Sequence, residues 1–171
     1  MRRQAVGNGW EVFKRQLHAH HRGEDEFIWP ALGERLSRSD SAVSVFAAME
    51  DEHARIDPLL AAVDAAFDGF TYDRLADVID TLATTLTSHL AHEEKDALPL
   101  IGTTLTGAEW NAVGRRIART NGLSAGAEFF AWMLDGVPPG RVAAVLGQLP
   151  RPLRLLYRAV WKPRYGKAGH W

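Results

Sequence analysis

Apolar residues recur every three or four positions along almost the whole chain, and this period restricts the fold more than any other feature. A β-strand would instead show apolar and polar residues in alternation, with many β-branched side chains, and such stretches are scarce. The breaks between the periodic segments are polar or contain glycine. We therefore predict an all-α protein.

Start and stop signals divide the first part of the chain into three long predicted helices, over about 10–35, 40–68 and 72–99. Pro30 should kink or end the first of them, because a proline inside a helix removes a backbone donor. Ser39 or Asp40 can cap the second helix and Thr71 the third. On the second helix one apolar stripe carries Phe46, Met49, His53, Ile56, Leu60 and Val63.

After Gly102 the predicted helices become shorter. Thr106-x-x-Glu109 predicts a capping box for a fourth helix through Arg119, and Asn121-Gly122 is a stop signal. Shorter helices are expected at roughly 123–134, 138–148 and 151–161. We thus predict a bundle domain over residues 8–101 and a helical extension over 102–171.

The chain has 171 residues and no cysteine, so one sizeable core with an appended segment is expected. Disulfides, thiolate zinc sites and iron–sulfur clusters are excluded, and any metal must be held by His, Asp or Glu. Eighteen apolar residues never follow one another, and the first residues do not resemble a signal peptide. We predict a cytoplasmic protein that does not bind a membrane.

Charge is distributed unevenly although the net charge is only −1. Residues 1–101 hold 18 acidic and 10 basic side chains, whereas residues 102–171 hold 3 and 10. The basic, aromatic end of the chain could contact phosphates or anionic lipid. We favour the simpler interpretation that this extension packs on the acidic bundle, and we predict no nucleic-acid partner. The oligomeric state is left open.

One motif occurs twice with identical internal spacing: His20-x-x-x-Glu24 is followed six residues later by Pro30, and His89-x-x-x-Glu93 six residues later by Pro99. Four residues advance a helix by slightly more than one turn, so the His and Glu of each pair share a face. Both faces carry apolar residues, and an ionised carboxylate in a core is costly unless it is neutralised. Metal coordination is one of the few adequate compensations.

The simpler interpretation is that both glutamates lie at the edge of the stripe, paired with surface cations, and that the histidines are ordinary core residues. The repetition, together with His53 on the stripe of a third helix, favours metal binding. We predict five metal ligands: His20, Glu24, His53, His89 and Glu93. Asp57, four residues after His53, is left open as a further ligand.

The remaining histidines are predicted to lie elsewhere. His18, His21 and His92 point away from the predicted inner faces, so we expect surface roles for them. His170 has no helical context and is interpreted as part of the C-terminal tail.

These residues resemble the hemerythrin HHE cation-binding family over roughly residues 10–101. The pattern of the family is a histidine, then His-x-x-x-Glu, then a histidine, then His-x-x-x-Glu, on the four helices of an antiparallel bundle. The matching segments here are LHAHHRGEDEFIWPAL, MEDEHARIDPLL and SHLAHEEKDALPLI. Ferritin-type sites differ, because they use Glu-x-x-His pairs.

The resemblance implies two non-haem iron ions, with Glu24 and Glu93 as bridging carboxylates and His20, His53 and His89 as terminal ligands. It also implies reversible binding of dioxygen or a related small ligand, for storage, transport or sensing. A peroxide-decomposing or oxidase-type enzyme and a metal-free helical scaffold are the alternatives, and we assign no catalytic residue.

The first helix of the family, with its own histidine, should precede Trp10, and that ligand is expected to be missing. Three explanations are left open: the chain begins downstream of a true start, a later helix fills the vacant groove, or Asp57 and water complete the coordination.

Overall fold

The computed structural model describes residues 2–69 and 72–168 of the chain. The described residues form helices and short connections and contain no strand, which confirms the all-α prediction. The predicted cap Thr71 and the tail residue His170 lie outside the described residues. Within the described part, no helix is long and apolar enough to cross a bilayer. The cytoplasmic location stays a prediction.

The described residues contain nine α-helices, numbered in chain order, and three short π-helical turns that connect some of them. The α-helices are α1 Arg2–Gly23, α2 Trp29–Leu36, α3 Asp40–Asp68, α4 Tyr72–His92, α5 Leu98–Thr104, α6 Gly107–Met133, α7 Pro139–Gly147, α8 Arg151–Leu156 and α9 Lys162–Ala168. The π-helical turns are π1 Glu24–Ile28, π2 Glu93–Ala97 and π3 Tyr157–Trp161.

The chain forms two compact units. The first, which we call the central unit, is residues 21–114, and the second, the terminal unit, combines residues 1–20 with 115–171. These bounds differ from the predicted division after residue 101, which stays a prediction, as does the packing of the extension on the bundle.

The core of the central unit is organised by α3, which packs along α4 and against α2. The predicted stripe of α3 is confirmed, since all six of its residues are buried. Met49 and Ile56 are fully enclosed, and each contributes about 1.5–3 kcal/mol of hydrophobic stabilisation. The Ser39 side chain accepts a hydrogen bond from the Ala42 backbone amide, so the predicted cap is also confirmed.

The ends of α2 and α5 are tied together by Arg35. Its guanidinium donates to the Thr104 carbonyl oxygen at 2.9 Å and to both carboxylate oxygens of Glu109. The Glu109 carboxylate also accepts from the Thr106 backbone amide at 2.8 Å, and the Glu109 amide donates to the Thr106 hydroxyl. The predicted capping box is therefore confirmed.

Each π-helical turn is followed by a proline two residues after its last residue: Pro30 after π1, Pro99 after π2 and Pro163 after π3. The backbone amide of the residue between turn and proline donates to the carbonyl five positions back, at Glu24, Glu93 and Tyr157 respectively. A proline cannot donate to the carbonyl four positions back, and its ring crowds that carbonyl, so a widened turn before it relieves the crowding. Pro58 lies inside α3 without such a turn, which nothing in the structure explains.

In the terminal unit, a small apolar core surrounds Leu134, Leu146 and Tyr157. The early part of α1 contacts α6 through Arg15 and Gln16, which donate to the Glu128 carboxylate at 2.7 and 3.1 Å. Helix α6 bends at Gly122, whose φ of 77° suits glycine because it has no Cβ. Helical geometry is thus interrupted at the predicted stop, Asn121-Gly122, and resumes after Gly122 within the residues numbered as α6.

Candidate metal centre

Three buried histidines from three helices meet inside the central unit. They are His21 on α1, His53 on α3 and His89 on α4, and one ring nitrogen of each lies within 4.8 Å of the others. The rings of His21 and His53 are stacked with their centroids 3.9 Å apart, and the His89 ring stands edge-on to both. Neutral imidazoles that converge in this way are a suitable set of metal ligands.

His53 is oriented by a carboxylate outside the cluster. Its Nδ1 donates to the Asp25 carboxylate, at 3.0 Å from one oxygen and 3.2 Å from the other. The opposite nitrogen, Nε2, is buried and lies 3.3 Å from Oε2 of Glu24. A carboxylate that holds one nitrogen and directs the other inward is the usual outer partner of a metal-binding histidine.

His89 has the same arrangement with a different carboxylate. Its Nδ1 donates to Oε2 of Glu52 at 2.9 Å. Its Nε2 is buried, and among the described residues it has no hydrogen-bond partner. Since a buried nitrogen without a partner is costly, a cation at this position would satisfy it. Glu52 also accepts from Nδ1 of His92, at 2.8 Å.

Two buried carboxylates complete the centre. Glu24 is 3% exposed and Glu93 is 8% exposed, and an oxygen of one lies within 4.8 Å of an oxygen of the other. Two like charges this close and this deeply buried repel each other strongly. A cation between them would remove that cost, so the residues present fit a metal ion.

The π-helical turns determine where these carboxylates lie. Glu24 is the first residue of π1 and Glu93 the first residue of π2. In π1, Ile28 and Trp29 are buried four and five positions after Glu24, so the widened turn keeps the carboxylate and both apolar side chains inside. Turns of this kind are frequent at functional sites.

The charged surroundings affect the proton affinity of two of these groups. Burial alone would lower the pKa of His53, but Glu24 and Asp25 outweigh it and raise the pKa. Burial alone would raise the pKa of Glu52, but hydrogen bonds from His89 and His92 outweigh it and lower the pKa. Glu52 is therefore ionised at neutral pH. The raised pKa of His53 makes cation binding depend on pH, because a cation competes with a proton for the ring nitrogen.

Four of the five residues predicted as ligands lie in the central unit: Glu24, His53, His89 and Glu93. The fifth, His20, is exposed, and it forms a potential metal-binding group with Glu24 and Glu93. The exposed Asp57 is not among the potential metal-binding groups found within the described residues. Metal ligation by the predicted five stays a prediction.

Three residues of the centre were not predicted from the sequence. His21 was expected at the surface and is buried in the centre, and Asp25 and Glu52 were not recognised as partners of His53 and His89. A signal for His21 was present: apart from two glycines, the buried positions of α1 and π1 are Val12, Gln16, Leu17, His21, Glu24 and Ile28. Most of these positions are three or four residues apart, as expected for one face of a helix, and His21 is among them. Nothing in the sequence singles out Glu52 among its acidic neighbours.

Comparison with known proteins gives one match. The model of the hemerythrin HHE cation binding domain matches residues 8–101, which contain all the residues of the buried centre. Neither the curated proteins nor the solved structures that were searched gave a match. Because the matched segment covers more than half of the chain and carries the buried histidines and glutamates at its centre, this protein belongs to the hemerythrin HHE cation-binding family.

Proposed function

We propose that the central unit holds a pair of iron ions and binds dioxygen or a related small ligand reversibly. The proposed ligands are His21, His53, His89, Glu24 and Glu93. The observation that carries this proposal is the orientation of His53 and His89. In each ring, a carboxylate holds Nδ1 and Nε2 faces a centre that contains two buried carboxylates.

The donor atoms support iron in preference to softer metals. Carboxylate oxygens and imidazole nitrogens without sulfur suit iron or manganese, and the absence of cysteine removes thiolate ligands. When bound, a pair of ferrous ions supplies the two electrons that reversible dioxygen binding requires. The family to which the chain belongs also makes iron the first choice.

The residues of the chain would serve this function in two ways. Asp25 and Glu52 fix the rotation of two histidine rings, so that little side-chain entropy is lost when a cation binds. Met49 and Ile56, one turn before and after His53, are fully buried and keep water from this side of the centre. The first effect favours cation binding, and the second limits the access of water to a bound small ligand.

Peroxide decomposition at the same centre is a second candidate, and one observation favours it. Hydrogen bonds connect His89 through Glu52 to His92, which is about one-third exposed. This path would let a proton move from solvent at His92 towards the buried cluster. Under this alternative, His92→Ala would slow oxygen release from hydrogen peroxide and leave metal content unchanged.

The first test is metal analysis of protein purified without chelator. We expect about two iron ions per chain and loss of most of this iron in Glu24→Ala and in Glu93→Ala. Glu26→Ala and Glu94→Ala are matched controls, because these neighbouring glutamates are exposed. The controls should retain the parent iron content.

Oxygen titration then tests the function itself. The iron-loaded protein should show an absorbance change that appears with oxygen and reverses under vacuum. Negligible metal in the parent chain would support the metal-free scaffold instead. An iron-loaded protein that releases oxygen from peroxide, with no reversible change, would support the enzyme.

A further inference from the structure

The terminal unit contains a cavity of about 350 Å³ that is separate from the residues of the metal centre. It is formed between the end of α6, the start of α7, π3 and α9. Its size lies within the range of roughly 300–1,000 Å³ that is typical of small-molecule pockets. The cavity is therefore large enough for a small organic ligand.

Apolar side chains form one part of the wall. Leu134 and Leu146 belong to the small core of this unit and are buried, and Val142 packs against them. Gly136, with a φ of 68°, lets the chain turn sharply between α6 and α7 at the edge of the cavity. This wall would contact the apolar body of a ligand.

Two cations form another part of the wall. Arg158 and Lys162 stand four residues apart, hence on one side of their helical segment, and both line the cavity. Among the described lining residues, Asp135 is the one acid. Residues 102–171 hold 10 basic and 3 acidic side chains, so the wider surroundings also favour an anion.

Tyr157 gives the cavity a hydrogen-bond donor. It is the first residue of π3, as Glu24 and Glu93 are the first residues of π1 and π2, and it is 3% exposed. Burial first, and the Asp135 carboxylate second, raise the pKa of Tyr157, so its hydroxyl keeps its proton at neutral pH. A buried phenol beside two cations can donate to an anionic group.

We propose that this cavity binds a small organic anion with an apolar body, of the class of medium-chain carboxylates. The apolar body would pack against Leu134, Val142 and Leu146, and the carboxylate would pair with Arg158 and Lys162. A neutral ligand of equal size would bury the same apolar area but leave both cations unused, so the proposal demands a preference for the anion.

Octanoate, below its micelle concentration, is the probe, and isothermal titration calorimetry is the measurement. Octanoate should bind with one saturable site, and octanamide, its neutral counterpart, should bind at least about tenfold more weakly. In the double variant Arg158→Gln/Lys162→Gln, octanoate should bind no more tightly than octanamide, and the affinity for octanamide should be unchanged. The double variant Arg151→Gln/Arg164→Gln removes the same charge outside the cavity and should bind octanoate as the parent does.

A second variant tests whether binding requires the volume of the cavity, as opposed to the charges that line it. Ala143 lines the cavity and is exposed on α7, so Ala143→Leu should fill space without disturbing the core, and octanoate binding should fall by about tenfold or more. Ala144→Leu, outside the cavity, is its control.

The proposal is overturned if octanoate shows no saturable binding, if octanamide binds equally well, or if the control variants weaken octanoate binding as much as the cavity variants do. Iron content is unaffected in every case, so this result is independent of the metal centre.

Discussion

The two copies of the repeated motif share a spacing in the sequence, yet they place their histidines differently. In the second copy, His89 precedes Glu93 by four residues and is 1% exposed. In the first copy, His20 precedes Glu24 by the same four residues and is exposed, whereas the next residue, His21, is buried. The buried pair is therefore offset by three residues in one copy and by four in the other.

This difference shows how little a four-residue spacing determines by itself. Offsets of three and four both keep two side chains on one face of a helix, since a turn has 3.6 residues. Adjacent histidines differ by about 100° in direction, so packing of the surrounding apolar residues decides which of them is inside. Around His21, Leu17 and Ile28 lie on the buried side.

The largest expected effect separates the two histidines of the first copy. His21→Ala should remove most of the bound iron, because it deletes a nitrogen from the buried cluster, and His20→Ala should retain most of it. Iron per chain, measured by mass spectrometry on both variants and on His89→Ala, checks this. Loss of iron in His20→Ala with retention in His21→Ala would restore the symmetrical ligand set of the sequence prediction.

A smaller effect is expected for the two carboxylates outside the cluster, Asp25 in the first copy and Glu52 on α3. Glu52 holds two rings, His89 and His92, while Asp25 holds His53. Glu52→Gln should weaken iron binding by about 10–100-fold, and Asp25→Asn by less. Competition with a chelator measures both affinities, and Glu50→Gln, an exposed neighbour on α3, is the control. Equal affinities for all three variants would mean that these carboxylates do not orient the rings.

The smallest effect is expected at the ion pair between Arg35, on α2, and Glu109, in the first turn of α6. Hydrogen bonds from Arg35, and then from Thr106, lower the pKa of Glu109 from 4.5 to about 2. A carboxyl group whose folded-state pKa is depressed adds stability above its unfolded pKa and loses it as pH falls towards the folded value. The free energy of unfolding of the parent should thus exceed that of Glu109→Gln at pH 6, and the gap should close between pH 4.5 and about 2.

Urea unfolding at several pH values measures this gap, and Glu50→Gln again serves as the control. We expect a modest difference, because Glu109 and Arg35 are solvent-exposed and such pairs are screened. A gap that stays constant down to pH 2 would show that the Glu109 carboxylate contributes nothing through its charge.

Much of the fold was predictable from the sequence, because its signals are local. The Ser39 cap, the box formed by Thr106 and Glu109, and the stripe of α3 depend on residues within one or two turns, and all were confirmed. The π-helical turns were not predicted. A proline at a given spacing does not identify them, since Pro58 is accommodated in a regular helix.

The site was predictable in part for the same reason. The spacing and apolar surroundings of Glu24, His53, His89 and Glu93 mark them as inward-facing, and the structure brings them together. Asp25 and Glu52 could not be found, because their partners lie 28 and 37 positions away in the chain. Which acidic residue reaches a histidine on another helix depends on how the helices pack.

By itself, the sequence determined the helical class, the family and the two buried glutamates, because helical period and motif spacing are properties of neighbouring residues. Only the tertiary structure showed that His21 is buried and His20 exposed, and only it selected Asp25 and Glu52 as partners of the histidine rings. These choices depend on the rotation of α1, α3 and α4 about their axes. That rotation is set by the burial of apolar side chains from several helices at once, which no single segment of the sequence encodes.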